Sequence, residues 1–469
     1  MFRRRARVLV GLMIVGLLAS LGLATPVSAS SHTAQQGITK DQIDIVALVA
    51  DLDGLRSKGL ISQPKLTTGN LLKRWQAYAD AYGPINGRKV VITPAVWDPI
   101  DPTTFDKACA QATQDNKPLV VVNGNGYRQS SVPCITVDNK TPLIVGDPVY
   151  TTMLDASGDN LFGILPPSDV MGKATADFVI DQKLVPKTAK IGILSSNEPG
   201  QKAGGDALEA EFKKRGYNVA SKVESNVLSG DTALMNRESA AAVGTFQAAG
   251  VDTVFIGNPF TATQGYFQEA ARSGAAFKAY VIDDASSMCT IFAAGRIPGE
   301  AAGIPCLTAA DTRAVSTKDS VKKDNAAEAK CRTEFDKAFG ATSLPGVPSG
   351  DVVANGVTYS EDFAANECQI MNLLLPAIKQ AGKNPTWAKI AKNLENTGKA
   401  PAIYNSNGEG SYTAKKHYFA DNVHLVTLNS ANAQTAKDAN GTFNGCPAPV
   451  NCWIPQLVNG QEWAPIAGK

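Results

Sequence analysis

The chain has 469 residues, 45 Lys+Arg against 43 Asp+Glu and 44% apolar side chains, which is too long for one core and suggests two domains of ordinary size. Four arginines and no acid lie in residues 1–29, so without that segment 41 basic side chains face 43 acidic ones. Such a near-neutral surface argues against nucleic acid and anionic lipid as partners, because both demand a positive field.

In chain order the first feature is an export signal. Arg3, Arg4, Arg5 and Arg7 form a basic start, Val8 to Ala24 an apolar run, and Pro26-Val27-Ser28-Ala29 a small-residue end. Residues 1–29 are therefore expected to be a signal peptide cut after Ala29, in preference to an uncleaved anchor. Position 30 is Ser30, so no lipobox cysteine follows the cut, and the expected location is the periplasm or cell envelope. No later segment approaches the length of a membrane span.

From residue 43 short apolar runs alternate with helical patterns. IDIVALV (43–49) reads as a buried strand followed by a loop at Asp51–Gly54, 71–82 as a helix and KVVITPAV (89–96) as a strand. A helix over 101–116, with Pro102 at its start, precedes strands at PLVVV (118–122) and PLIV (142–145). The beat restarts after Asn160, with Ser168 as the expected N-cap of a helix to Ile180. Strands at 190–194, 217–223, 252–256 and 279–282 then alternate with helices at 202–215, 239–249 and 261–273. Helices are expected at 361–381 and 386–396 and a strand at NVHLVTL (422–428). This rhythm implies right-handed βαβ units and parallel sheets, one in 40–160 and one in 164–283.

All eight cysteines follow residue 100: Cys109, Cys134, Cys289, Cys306, Cys331, Cys368, Cys446 and Cys452. An even count in an exported chain reads as disulfides, and pairing of sequential neighbours is the economical arrangement. No C-x-x-C pair occurs and His32, His417 and His424 lack ligand spacing, so no metal site is expected.

Signatures of catalysis fail. There is no G-x-S-x-G elbow, and the S-x-x-K match at Ser320–Lys323 lies in a charged, solvated stretch. Gly124-Asn125-Gly126 follows a strand, but Gln129 stands where a dinucleotide loop has its third glycine. No catalytic residue and no cofactor is expected. The informative positions are those past the strand ends, where open α/β sheets bind ligands. They are Asp51 and Asp53, Asn123 to Tyr127, Asp147 to Tyr150, Asn197 to Gln201, Asn258 to Phe260, and Asp283 with Asp284. Acids, amides, glycines and the rings of Tyr127, Tyr150 and Phe260 suit a small polar solute. The blander reading is turn chemistry, since Asn, Asp and Gly populate loops in any case.

Several segments together carry a resemblance: GITKDQIDIVALVADLDG, INGRKVVI with DPIDPTTFDKACAQATQD, FGILPPSDVMGKATADFVI, KIGILSSNEPGQKAGGDALEAEFKKRGYNV, FQAAGVDTVFIGNPFTATQGYFQEAARSG and LLPAIKQAG. In this order the chain resembles, over residues 37–430, the branched-chain amino-acid (Leu/Ile/Val) type of ABC-transporter substrate-binding protein, with a type I periplasmic-binding-protein fold. The resemblance implies two doubly wound parallel-sheet lobes joined by a multi-crossing hinge. Lobe one would be 37–163 plus 284–400, and lobe two 164–283 plus 401–469. Taken with the strand-end positions, it gives a ligand set of Asn123, Gly124, Asn125, Tyr127, Asp147, Tyr150, Asn197, Asn258, Phe260, Asp283 and Asp284. Within it the first-lobe turns would hold a carboxylate, Asp284 with Asp283 an ammonium, and Phe260 would wall the pocket. NGNGYRQSS, GDPVYTT and Glu198-Pro199-Gly200 depart from the family's Ser/Thr-rich and Tyr-Gly turns, which opens the ligand class to cationic, amide-bearing and non-amino-acid solutes. The implied partners are a small-molecule solute and an ABC permease of the cell membrane, with the protein a monomer. A ligand-sensing receptor is the second reading and a secreted enzyme the third.

Overall fold

The computed structural model describes residues 35–58, 65, 67–99, 101, 103–124, 126, 129–226, 232–257, 260–283, 304–309, 324–343, 352–354, 357–403, 406–429, 452–455 and 461–466. The expected signal peptide lies outside them, as do Cys289, Cys446, Pro102 and Ser320–Lys323. Among the described residues no helix is long and apolar enough to cross a membrane.

Two sheets organise the chain. The first holds β1 (Gln42–Ala50), β2 (Lys89–Trp97), β3 (Val120–Asn123), β4 (Leu143–Val145) and β5 (Leu161–Gly163), all parallel, in the order β2-β1-β3-β4-β5. The second holds β6 (Lys190–Ser196), β7 (Asn218–Ser225), β8 (Thr253–Gly257), β9 (Lys278–Asp283) and β10 (Pro305–Thr308), parallel and in the equivalent order β7-β6-β8-β9-β10. Two small antiparallel hairpins, β11 (Val352–Ala354) with β12 (Val357–Ser360) and β13 (Ala400–Pro401) with β14 (Glu409–Gly410), stand apart from the sheets. Past β10 the second sheet continues with β15 (Asn422–Asn429), which is antiparallel to β10 and pairs with β16 (Cys452–Pro455) and β17 (Trp463–Pro465).

Burial on both faces explains the near-continuous apolar strands. Ile43, Ile45, Ala47 and Val49 of β1 point into a core shared with helices Thr68–Tyr82, Ala326–Phe339, Ala365–Gln380 and Trp387–Glu395. Val46 and Leu48 point to the opposite face, against Phe105, Cys109 and Met153. In the second sheet Ile191 and Ile193 face helices Ser168–Asp181 and Pro199–Lys214, while Leu194 packs with Ala242, Val243 and Tyr266 of the helices on the other face.

The hinge is sharply placed. Ile164 belongs to the first core and Leu165 to the second, and likewise Phe419 to the first and Ala420 to the second. These crossings lie side by side: Phe419 N–H donates to the Gly163 carbonyl and Ala420 N–H to that of Ile164, each at 2.9 Å. From sequence the chain is expected back in the first lobe at residue 284, but Pro305–Thr308 forms β10 of the second sheet. A four-residue strand carries too little periodicity to announce itself. Ala402, Ile403 and Tyr412, read from sequence as lobe two, pack in the first core. Asp51–Gly54, expected as a loop, begins helix Leu52–Ser57, whose N-terminus Asp51 caps by accepting Gly54 N–H at 2.9 Å.

Disulfides Cys109–Cys134 and Cys331–Cys368 pair sequential neighbours. Cys306 is also disulfide-bonded. Cys452 lies in β16.

Candidate functional site

The order β2-β1-β3 places a switch point between β1 and β3, and β7-β6-β8 repeats it. Crevices of this kind lie beyond the carboxyl ends of the strands. Asn123, the last residue of β3, is buried there, and its Nδ2 donates to the Leu48 carbonyl at 2.9 Å, tying β3 to β1. Gly124 is buried beneath the start of helix Ala365–Gln380, where Asn366 Nδ2 donates to its carbonyl at 3.1 Å. A Cβ at Gly124 would stand 2.6 Å from the Glu367 carboxyl carbon, so this glycine is required by close approach. Asp147 accepts the Gly126 N–H, and Trp97 Nε1 donates to the Gly126 carbonyl at 3.0 Å. The turns after β3 and β4 are thus bound to one another, and the acid of the second has a backbone partner in the first.

Glu367 is the electrostatic centre of this end. Burial pushes its carboxyl up to about 7; the Arg74 guanidinium opposes this and Asp362 adds to it. Burial and the same Glu367 charge raise the Tyr78 phenol, whose hydroxyl donates to the Phe363 carbonyl.

Across from these turns, helix Pro199–Lys214 begins with proline and has no cap from Glu198. Its Gly200 N–H donates instead to Gln129 Oε1 at 2.7 Å, and Gln129 Nε2 donates to the Pro148 carbonyl at 3.0 Å. One amide of the first lobe therefore links its own β4 turn to a helix N-terminus of the second. A second link runs the other way: Asp169 Oδ1, in the first turn of helix Ser168–Asp181, accepts Thr151 N–H at 2.9 Å. The half-buried Tyr150 lies beside Glu198, and burial with that carboxylate raises its phenol above the usual range.

Of the residues expected from sequence, the structure brings together Asn123, Gly124, Asp147 and Tyr150 around the β3 and β4 ends. Asn197 is exposed and bonded through its Nδ2 to Asn226 Oδ1 at 2.9 Å, holding the ends of β6 and β7 together. Asp53 accepts Arg56 Nη1 at 2.9 Å and Thr68 N–H at 3.2 Å. Phe260 opens helix Phe260–Arg272 and Asp283 ends β9; Asn125, Tyr127, Asn258 and Asp284 lie outside the described residues. Sequence alone missed Gln129, Glu367 and Asp169. The signal for Gln129 was an unfilled need, a helix starting Glu-Pro-Gly with no side chain of its own to satisfy its first N–H groups. Away from the strand ends, Asp159, Glu395 and His417 converge from three separate segments.

A sequence profile of the family described as periplasmic binding protein matches residues 72–434. The chain belongs to the periplasmic binding protein family. Members of this family work outside the cytoplasm. No curated protein matches the chain significantly. Among solved structures, the chain is similar to a leucine-, isoleucine-, valine-, threonine- and alanine-binding protein from Brucella ovis in its closed conformation, at 17% identity and TM-score 0.59, covering 91% of this chain and 97% of that one. It is also similar to a branched-chain amino-acid ABC transporter protein from Thermus thermophilus with bound valine, at 14% identity and TM-score 0.60, covering 83% and 94%. A solute-binding protein of an ABC transporter from Rhodopseudomonas palustris BisB5, in complex with 3,4-dihydroxybenzoic acid, shares 12% identity and TM-score 0.60 over 89% and 97%. At these identities the shared property is the fold.

Proposed function

We propose that this protein captures a small polar or amino-acid-like solute between its two lobes and delivers it to the permease of an ABC importer, without catalysing a reaction. The observation that carries the reading is the meeting of strand-end loops from both sheets, through Gln129, Pro148 and Gly200. A solute held at these ends touches both lobes, so binding favours their approach. The proposed ligand set is Asn123, Gly124, Asn125, Tyr127, Asp147, Tyr150, Asn197, Asn258, Phe260, Asp283 and Asp284, with Gln129 as the clasp. The solutes named for the similar structures are an aliphatic amino acid and an aromatic acid, two classes that share a carboxylate. We take lobe one as 37–164 plus 324–419 and lobe two as 165–309 plus 420–466, with export by a signal peptide cut after Ala29 and action as a monomer.

A thermal-shift screen across amino acids, amides, polyamines and small aromatic acids tests the proposal. A solute that binds only the native state raises melting, by about 2.7 kcal/mol of stability at a hundredfold excess over Kd. Asp284→Ala should abolish the shift for a cationic or zwitterionic ligand. No shift from any class, together with normal uptake by cells carrying Asp284→Ala, would sink solute capture.

A further inference from the structure

We infer that Asp159, Glu395 and His417 form a binding site for a divalent cation of the Zn2+ type at the foot of the hinge. The residues come from the turn before β5, the last position of helix Trp387–Glu395 and the segment that leads into the crossing at Phe419, and one ligand atom of each lies within 4.8 Å of the others. The His417 backbone carbonyl accepts the Gly163 N–H at 2.8 Å, so the cluster is one residue from the crossing strands.

The convergence of the three ligand atoms carries the argument, and the placing of the imidazole agrees with it. His417 Nδ1 is 3.3 Å from the Gly158 carbonyl oxygen, and Nε2 is 3.0 Å from Glu395 Oε1. With the ring proton on Nδ1, that nitrogen donates to Gly158 and Nε2 turns its lone pair toward the carboxylate; with the proton on Nε2, the ring donates to Glu395 instead. In the first tautomer a metal ion between Nε2 and the Glu395 carboxylate takes the place that the ring proton holds in the second. A backbone carbonyl holding the second ring nitrogen is the arrangement that orients metal-bound histidines. The ring is also stacked on Phe162, with centroids 4.3 Å apart, and Trp387 Nε1 donates to the Asp159 carbonyl at 2.7 Å. These anchors leave the carboxylates and Nε2 to face the ion.

One imidazole and two carboxylates suit Zn2+ better than Mg2+ or Ca2+, which prefer all-oxygen sets. The His417 and Glu395 side chains are 11% and 17% exposed, and Asp159 is exposed, leaving room for a water as fourth ligand. Ligand atoms around tetrahedral Zn2+ stand about 3.3 Å apart, so three atoms within 4.8 Å of one another need close by no more than about 1.5 Å to hold it.

The test uses the chain purified without a histidine tag, stripped with EDTA and titrated with ZnCl2 by calorimetry at neutral pH. One ion per chain should bind and raise the melting temperature. Asp159→Asn, an isosteric change at an exposed side chain, should weaken binding at least tenfold while leaving metal-free melting unchanged. His417→Gln should abolish one-to-one binding, and Glu462→Gln, beside the described His424, should not affect it. If the unaltered chain takes up no Zn2+, the His417–Glu395 pair is bridged by a proton and the site does not exist. Equal affinity in Asp159→Asn and Glu395→Gln would equally overturn the assignment, by placing the ion elsewhere.

Discussion

The two sheets repeat one strand order, yet they are completed in different ways. The first lobe is finished by chain that returns: Ala326–Phe339, Ala365–Gln380 and Trp387–Glu395 cover one face of β1–β5, and Cys331–Cys368 staples two of these helices together. The second lobe is finished sideways, by antiparallel β15, β16 and β17, while helices Ser168–Asp181 and Pro199–Lys214 cross so closely that a Cβ at Gly172 would overlap the Gly204 carbonyl. An alternating βα sequence specifies the parallel sheet in both cases. What seals each sheet is set by the helices around it, two of them joined by a cross-link in the first lobe and two meeting by close steric fit in the second.

The largest expected effect strikes the covalent side. Replacing Cys331 and Cys368 together by alanine should cost about 4 kcal/mol, the chain entropy released by a cross-link spanning 37 residues. Urea unfolding measures it, and a loss below about 1 kcal/mol would mean that helix packing alone closes the first lobe.

Next comes the charge buried under the same helix. The folded Glu367 carboxyl is pushed up to about 7 from an ordinary 4.5, so its contribution is fully present below about pH 4.5 and is lost as pH rises through about 7. Stability should fall by roughly 2–3 kcal/mol across that window. Glu367→Gln, which keeps the neutral shape beside Arg74, Asp362 and Tyr78, should flatten the decline and be the more stable form at pH 8. An unchanged pH slope in the variant would move the titration to another group.

Steric closure of the second lobe is tested by Gly172→Ala, expected to cost about 1–3 kcal/mol through overpacking. Gly244→Ala, in the same lobe where a Cβ meets nothing within 4 Å, should instead stabilise by about 0.5–1 kcal/mol. If the two changes behave alike, the helix crossing is not what seals this lobe.

The smallest effect on folding belongs to one of the contacts that join the halves. Gln129→Ala removes one bond across the lobes and should lower stability by about 1 kcal/mol or less. It should also weaken the affinity for any solute found by thermal shift several-fold, measured by calorimetry. Full affinity in the variant would reduce Gln129 to a loop support.

Most parallel strands of both sheets were legible because buried parallel strands are nearly all apolar: IDIVALV, KVVITPAV and KIGIL need no tertiary information to be recognised, whereas the three- and four-residue β5 and β10 were missed. Helix Ala326–Phe339 was missed although Asn325 and Glu328 form a capping box, each accepting from the backbone of the other. The flanking charged residues hid it. At the site, Asn, Asp and Gly past the strand ends were visible, but not their use. Gly124 is small because Glu367, far later in the chain, lies against it, and no local pattern encodes so distant an approach.

The division of the first lobe has a consequence for how the chain comes to be folded. Synthesis delivers β1 to β5 with helix Thr68–Tyr82 first, followed by β6 to β10 of the second lobe, and only then the other three helices that bury Ile43, Ile45, Ala47 and Val49. For much of the elongation that follows β5, that apolar face has only helix Thr68–Tyr82 of its four covering helices. The order of birth and the order of closure are therefore out of step, and an early sheet must either wait or be sheltered, with premature association as the hazard.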